Sequence, residues 1–191
     1  RWWPTSSGRR ESRARGMSRG LTHISLSGGM IVLVPEVPAR ELARRGLGPE
    51  FVADVLIAAL GLDPRDAARA HAELALGMYK EGLAYVERGD VVQASEKLYK
   101  AVEEGVKALA LSRGLPEAEE AASKGRWTVA LLDKAADKLG DVVYRAWDAA
   151  YFLHVNGFHE VRIDIDIVKA KLKAIEPMME LVKELAGRGS P

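Results

Sequence analysis

The sequence predicts an all-α protein, an antiparallel up-down helical bundle that follows a disordered N-terminal segment. Apolar residues recur every three to four positions between Asp63 and Ala186, which is the period of amphipathic helices. Capping residues and glycines divide this stretch into helices with short connections, so that neighbouring helices must run antiparallel. The alternating segment Ile163–Ile167 has no second strand to pair with. We therefore interpret it as the start of the last helix.

The first 29 residues are expected to lie outside the fold. Residues 1–19 contain six arginines and one acidic residue and show no helical or strand period. We interpret residues 1–29 as a disordered leader or as upstream translation, with Met17 and Met30 as candidate starts. A basic arm that binds nucleic acid is the alternative. A secretory signal is not expected, because no continuous apolar core follows the arginines. Residues 30–191 are then a single helical bundle domain.

Proline and aspartate mark the starts of the first predicted helices. Two short helices are predicted over Pro38–Arg45 and Pro49–Leu60. Asp63 then caps a long helix, with Pro64 at the first helical position, where the missing N–H group costs nothing. That helix extends to about Arg88, where a glycine ends it.

The helix predicted over Asp90–Ser112 has the clearest period in the chain, and Asp90 with Gln93 forms a capping box. A small-residue stripe runs along its apolar face: Ala94, Ala101, Gly105 and Ala108. Glycine inside a helix costs about 1 kcal/mol relative to alanine. We therefore expect close packing along this stripe, either within the chain or across a dimer.

The opposite face of the same helix is charged. It carries Glu96, Lys100, Glu103, Glu104 and Lys107. Glu96 with Lys100 and Glu103 with Lys107 are i,i+4 pairs in the favourable order, each of which stabilises a helix by a few tenths of a kcal/mol.

The remaining helices are predicted from their caps and ends. They are Pro116–Ser123, Val129–Leu139 capped by Thr128, Val142–Val155 capped by Asp141, and a final helix from about Asp164 to Ala186. Asn156 and Gly157 are expected to end the third of these in a left-handed turn.

Several classes of site are excluded by composition. The chain has no cysteine, which excludes disulfides, thiolate zinc sites and a cysteine nucleophile, and fits a reducing, cytoplasmic compartment. The longest apolar runs are shorter than the roughly 20 residues that span a bilayer. No glycine-rich phosphate-binding loop precedes a helix. We expect no cofactor.

Four candidate binding residues cluster near one predicted helix end: His154, Asn156, His159 and Glu160. They contact a nucleotide, RNA or another substrate in one interpretation and cap the helix in the other. Two imidazoles and a carboxylate suit zinc. However, His154 and His159 are five positions apart, which is not the i,i+4 spacing of a helical metal pair, and we expect no metal.

Arg126 and Trp127 are the second group of candidate binding residues, because they precede the cap Thr128. A helix N-terminus attracts anions, so that Arg126 could hold a phosphate while Trp127 stacks on a base. The alternative is that Trp127 is an apolar staple on the first helical turn. Arg145 is a further candidate, expected to form an ion pair with Asp148.

Three segments carry a resemblance to a known family: Tyr85–Glu104 (YVERGDVVQASEKLYKAVEE), Gly125–Leu132 (GRWTVALL) and Ala146–Glu160 (AWDAAYFLHVNGFHE). They resemble the archaeal PaREP paralogue family, which is similar to the HEPN (higher eukaryotes and prokaryotes nucleotide-binding) superfamily of helical bundles. The resemblance implies a HEPN-like bundle, a homodimer and an archaeal source. Some HEPN-like proteins are partners of nucleotidyltransferases, which makes such an enzyme a candidate partner.

Many HEPN proteins are metal-independent ribonucleases with an arginine and a polar residue a short distance before a histidine. No arginine stands at the required distance before His154 or His159. The one match, Arg65-Asp66 followed by His71, lies on a different helix, and a match of this kind is expected by chance.

We therefore expect a non-enzymatic, HEPN-like binding module that homodimerises, with a nucleotide, RNA or a protein as its ligand. The alternative function is a metal-independent ribonuclease or a toxin–antitoxin component. It would use His154 and His159 with an arginine such as Arg126 or Arg145.

Overall fold

The computed structural model describes residues 21–25 and 31–187 of the 191-residue chain, which divides after Val52 into two units. In the first unit, strands β1 (Leu21–Ser25) and β2 (Ile31–Pro35) pair antiparallel, with Leu21 opposite Pro35. Helix α1 (Glu36–Arg44) follows, and α2 (Pro49–Leu60) begins there and ends in the second unit.

The predicted leader, residues 1–29, falls largely outside the part of the chain that the structure describes, which leaves out residues 1–20 and 26–29. Within it, Leu21–Ser25 forms a strand. Its partner is rich in the β-branched residues Ile31, Val32 and Val34, which favour extended backbone. Apart from this two-stranded ribbon, the elements of the described residues are helices, and the all-α prediction is confirmed.

The second unit contains the predicted series of helices. They are α3 (Pro64–Glu87), α4 (Val91–Ser112), α5 (Pro116–Lys124), α6 (Val129–Leu139), α7 (Asp141–Leu153) and α8 (Ile165–Gly187), with a π-helical turn at His154–His159 between the last two. We call His154–His159 the π turn. Among the described helices, none is both long and apolar enough to serve as a membrane span.

The predicted caps set most of the helix starts. Asp63 accepts hydrogen bonds from the backbone N–H groups of Arg65 and Asp66 at 2.8 and 3.0 Å. Asp90 and Thr128 accept in the same way at 3.0 and 3.3 Å. Asp141 is the exception. It is the first helical residue of α7, and its carboxylate binds Arg145 instead of the backbone.

Helix α4 lies at the centre of the second unit, since α3, α6, α7 and α8 all pack against it. Thirteen of its 22 residues are buried. Part of its charged face is buried as well, since the side chains of Glu104 and Lys107 are 0 and 2% exposed. A helix with neighbours on several sides has no face that is wholly in water.

The small-residue stripe of α4 packs within the chain. A Cβ atom on Gly105 would lie 2.8 Å from Cε of Met178 and 3.1 Å from Cγ2 of Val182, both on α8. Ala94, Ala101 and Ala108 are fully buried as well. Of the two alternatives that the sequence left open, the close approach of α4 and α8 accounts for the glycine.

Candidate functional site

A buried group of charged side chains joins α3 to α4. His71 Nδ1 lies 2.6 Å from Oε2 of Glu104, and the Lys107 ammonium lies 2.6 Å from the other oxygen of the same carboxylate. All three side chains are less than 5% exposed. Burying charges without pairing them costs several kcal/mol per ion, so the pairing of Glu104 with Lys107 is what offsets the burial of these two groups.

Asp54 of α2 completes this group, which we call the buried cluster (Asp54, His71, Glu104 and Lys107). One Asp54 oxygen lies 3.2 Å from Nζ of Lys107, and the other lies 3.6 Å from Nε2 of His71. The imidazole of His71 therefore has a carboxylate near each of its nitrogens. Asp54 itself is about one-third exposed, at 35%, which leaves the cluster open to solvent on that side.

The two most deeply buried charges hold each other in the ionised state. Burial alone would raise the pKa of Glu104, but the hydrogen bond with His71 and the positive charge of Lys107 outweigh it, and the pKa is lowered. Burial would likewise lower the pKa of Lys107, but Glu104, Glu103 and Asp54 outweigh it, and the pKa is raised. Glu104 and Lys107 thus form a buried ion pair at the centre of the cluster.

Asp54, His71 and Glu104 are close enough together to hold a metal ion. However, the Lys107 ammonium already lies against both carboxylates. A cation at this position would have to displace a buried, doubly paired charge. The donor set therefore fits its own lysine better than it fits an added metal.

A cavity of about 390 Å³ lies beside the buried cluster. Asp54 and His71 contribute to its wall, and Arg126 and Trp127 contribute at another part. Most of the other lining residues are apolar or small: Ile57, Ala58, Gly61, Leu62, Pro64, Ala67, Leu111, Ala118, Ala121, Ala122 and Gly125. The cavity is an apolar space with a few charged groups around it.

Arg126 and Trp127 reach this cavity because of the turn between α5 and α6. Gly125 takes up a left-handed conformation (φ 66°) that ends α5, and Thr128 caps α6 two residues after Arg126. Trp127 is half-buried and packs against the core, as the staple interpretation expects. Arg126 is exposed and forms no ion pair within the described part of the chain. Its guanidinium is therefore available to a ligand.

The π turn brings His154 and His159 together. Their Nε2 atoms are 3.0 Å apart, and Nδ1 of His154 lies 2.9 Å from Oε2 of Glu96 on α4. The ring of His154 stacks on Tyr99, with 4.1 Å between ring centroids, and more loosely on Phe158 at 5.7 Å. We call Glu96, Tyr99, His154, Phe158 and His159 the histidine site.

Asn156 and Glu160 support this turn without entering the histidine site. The Asn156 side chain donates to the backbone oxygen of Phe152 at 2.9 Å and accepts from Nε of Arg162 at 2.9 Å. Glu160 pairs with the same arginine at 3.5 Å. Both candidate binding residues are thus engaged with the chain itself.

The prediction of a left-handed turn at Asn156 and Gly157 is wrong. Neither residue has a positive φ; Val161 has one instead, at 49°. Gly157 is needed for a different reason: a Cβ atom there would lie 2.7 Å from Cβ of Ser95 and closer still to its hydroxyl oxygen. The chain approaches α4 so closely at this position that only glycine fits.

The remaining candidates lie elsewhere. Arg145 is exposed and pairs with Asp141 at 2.6 Å instead of with Asp148. Arg65 lines a second cavity, of about 580 Å³, whereas His71 lines the first. The arginine and histidine of the single signature match therefore do not converge on one space.

The buried cluster is what the sequence interpretation missed. In the sequence, His71 stands out only in a chance match to the ribonuclease signature, and Glu104 and Lys107 stand on the polar face of their helix. The available signal was an acidic and a basic residue three positions apart on the helix with the strongest apolar period. Such a helix is expected to lie at the centre of the bundle, where neighbouring helices cover part of its polar face.

Part of the chain is similar to known proteins. A sequence profile described as the archaeal PaREP1/PaREP8 family matches residues 70–179. A crystal structure of a protein from Sulfolobus solfataricus is 31% identical, with a TM-score of 0.56, and the match covers 60% of this chain and 97% of that one. A solution structure of the same structural-genomics target is 30% identical, with a TM-score of 0.54, and the match covers 61% and 93%. No curated protein sequence gave a significant match.

Proposed function

This chain belongs to the archaeal PaREP1/PaREP8 family, and from that starting point we propose that it is a HEPN-like helical module that binds a nucleotide. The binding site is the cavity beside the buried cluster. The observation that carries the proposal is that one cavity is lined by a tryptophan, a histidine, a carboxylate and an arginine that has no ion pair among the described residues.

The size and lining of the cavity support a small ligand. Ligand pockets are usually apolar spaces of roughly 300–1,000 Å³ with a few well-placed polar groups. The cavity has about 390 Å³, which is enough for a base and ribose while phosphates extend towards solvent. An extended RNA strand would need a groove instead of a pocket of this size.

The charged and aromatic groups suggest how the ligand is held. The ring of Trp127 offers a surface for stacking a base, an interaction worth about 1–3 kcal/mol. Arg126 can bind a phosphate with two parallel hydrogen bonds. Asp54 can accept hydrogen bonds from ribose hydroxyls or an exocyclic amino group, so that each part of a nucleotide has a suitable partner.

The experiment is ATP binding to the full chain, measured by isothermal titration calorimetry. Arg126→Gln is expected to weaken binding about 10-fold or more, since a hydrogen bond to a charged group contributes about 1.5–3 kcal/mol. Trp127→Leu is expected to weaken it about 5-fold or more through lost stacking. Arg145→Gln, which changes an equally exposed arginine outside the cavity, is the matched control.

The proposal fails if ATP and AMP do not bind, or if all three variants bind ATP as the parent chain does. A short single-stranded RNA, titrated in parallel, separates the ligand classes. RNA that binds while ATP does not would replace the nucleotide with RNA as the ligand.

We further propose that the module is a homodimer that pairs through the outer face of α2. The small-residue stripe is used inside the chain, so it cannot form the interface. On α2, Val55, Leu56 and Leu60 are 48, 46 and 69% exposed. The same apolar face on two copies of the chain can pack together across a two-fold axis.

Light scattering tests this arrangement. Leu56→Glu is expected to shift the chain from dimer to monomer, whereas Val142→Glu, a change on an exposed position of α7, leaves the mass unchanged. A monomeric parent chain, or a Leu56→Glu variant that remains dimeric, would contradict the interface.

One observation favours a metal-independent ribonuclease as the second candidate, namely that His154 and His159 converge. Two features weigh against it. The Nε2 atoms are too close to admit a phosphate between them, and Arg126 and Arg145 both lie outside the histidine site. If a labelled RNA is cleaved in the presence of EDTA, and His159→Ala abolishes the cleavage, the ribonuclease function would replace the binding function.

A further inference from the structure

We propose that His154 and His159 form a binding site for a divalent transition-metal ion of the zinc, copper or nickel class. Both would coordinate it through Nε2. This site is separate from the proposed nucleotide cavity, and none of its residues lines that cavity. The carrying observation is that the π turn directs the two Nε2 atoms at one point.

The π turn removes the objection that the sequence spacing raised. In an α-helix, metal-binding histidines stand four apart, because that spacing lies on one face. A π-helix instead hydrogen-bonds residue i to residue i+5. The backbone N–H of Glu160 donates to the oxygen of Val155 at 3.0 Å, which is the i+5 pattern. Residues 154 and 159 are therefore one turn apart and share a face.

The distance between the two nitrogens suits a shared metal ion. With zinc–nitrogen bonds of about 2.0–2.1 Å, two ligands are roughly 2.9 Å apart at a right angle and roughly 3.3 Å apart at the tetrahedral angle. The observed separation is 3.0 Å. Binding needs no more than a small opening of the pair.

His154 is oriented as a metal ligand would be. Its Nδ1 faces the Glu96 carboxylate at 2.9 Å. A carboxylate accepts, so the neutral ring that donates Nδ1–H to Glu96 has its lone pair on Nε2. A carboxylate behind a metal-binding histidine fixes the ring and raises its basicity. Stacking on Tyr99 restrains the same ring further. In the metal-free chain, Nε2–H of His159 can donate to this lone pair.

The site is accessible and leaves coordination positions open. His159 is exposed, whereas His154 and Glu96 are about one-fifth exposed. Imidazole nitrogen favours zinc, copper and nickel over magnesium and calcium, which prefer oxygen ligands. Two protein ligands leave the other positions to water or to a small exogenous ligand.

The experiment is zinc binding to the full chain, measured by competition with a chromophoric indicator. The parent chain is expected to bind one zinc ion per chain in the micromolar range. His159→Ala is expected to weaken binding at least about 10-fold. Glu96→Gln, which keeps a hydrogen-bond acceptor but removes the charge, is expected to weaken it about 10- to 100-fold, as is typical for the partner of a metal-bound histidine.

Two control variants separate this site from the chain's other possible ligands. Asp54→Asn alters the buried cluster, and His23→Ala removes a histidine from the N-terminal part of the chain. Both are expected to bind zinc as the parent does. Far-ultraviolet circular dichroism of every variant checks that the helices are intact.

Three results would overturn the proposal: no saturable zinc binding by the parent, unchanged binding after His159→Ala, or loss of binding in either control variant. If His159→Ala alters the helical signal, Glu96→Gln decides the question by itself, since it leaves both rings in place. Unchanged affinity in that variant would then count against the oriented histidine.

Discussion

His71 and His154 each lie against a glutamate of α4, and the two pairs differ in their surroundings. The contact to Glu104 is 2.6 Å, with side chains 4 and 0% exposed, and the contact to Glu96 is 2.9 Å, with side chains 21 and 22% exposed. Around His71, Lys107 and Asp54 occupy the remaining positions. Around His154, the second nitrogen meets only another histidine that is itself exposed.

This difference separates a network that stabilises the fold from the site at which we propose that a metal ion binds. In the buried cluster, Glu104 and Lys107 are paired with each other, so that the free energy of their interaction contributes to folding. In the histidine site, Glu96 orients the ring of His154, and Nε2 of that ring faces Nε2 of the exposed His159. The same pair of residue types therefore has different surroundings, according to how many further partners the chain supplies.

The largest expected effect tests the buried pair. Glu104→Ala is expected to lower the free energy of unfolding by about 3–5 kcal/mol, because it leaves the Lys107 ammonium buried without its nearest counter-charge. Guanidinium denaturation measures the change. Lys124→Ala, which breaks the exposed pair with Glu120, is the control and is expected to change stability little. Equal losses of stability in the two variants would contradict the conclusion that the buried pair stabilises the fold more than the exposed pair does.

The pH dependence of stability tests Glu104 at acid pH and Lys107 at alkaline pH. The pKa of Glu104 is lowered from 4.5, so its contribution to stability is complete above pH 4.5 and is lost as the pH falls through the lowered value. The pKa of Lys107 is raised from 10.5, so its contribution is complete below that pH and is lost as the pH rises further.

Unfolding free energies measured across acid and alkaline pH are expected to show both losses. Glu104→Gln should flatten the acid side, because the titrating carboxyl is gone. If the variant and the parent lose stability identically in acid, Glu104 is not the group responsible.

A smaller effect is expected where the π turn meets α4. Gly157→Ala should cost about 1–3 kcal/mol, as other overpacked positions do, because the added methyl group meets Ser95. Gly105→Ala is the matched comparison. There the close atom is the mobile end of Met178, and alanine is the better helix former. Thermal unfolding of the two variants should rank Gly157→Ala as the less stable, and the reverse order would contradict the close approach.

The smallest effect on stability is expected for His159, in contrast to the buried Glu104. His159→Ala is expected to change the free energy of unfolding by less than about 0.5 kcal/mol, as exposed substitutions usually do, while it weakens zinc binding. Urea denaturation of metal-free protein measures this. A loss as large as that of Glu104→Ala would make His159 a structural residue.

The sequence was informative wherever local rules decide the outcome. Helix α6 occupies Val129–Leu139 as predicted, because Thr128 caps one end and a glycine with φ 103° lies at the other. The start of α3 follows from Asp63 and Pro64 in the same way. Caps and breakers act over a few residues, so that they can be read without knowledge of the neighbours.

Features that depend on residues distant in the chain could not be predicted from the sequence. The period of α4 identifies its apolar face, but it does not reveal that neighbours also cover Glu104 and Lys107. Gly157 packs against Ser95, a contact between residues 62 positions apart that the sequence does not reveal. Of the candidate residues, His154 lies against His159, and Arg126 and Trp127 line one cavity. The buried cluster required the arrangement of three helices.

Helix α4 carries Glu96 and Glu104 eight residues apart, a distance of about 12 Å along its axis. Both carboxylates are thus fixed to one rigid rod, and any slide of that rod along its length would shift both contacts at once. Ligands bound at the histidine site and in the cavity would be coupled only if one of them moved α4. Such coupling would be reciprocal, so that either ligand would change the affinity for the other.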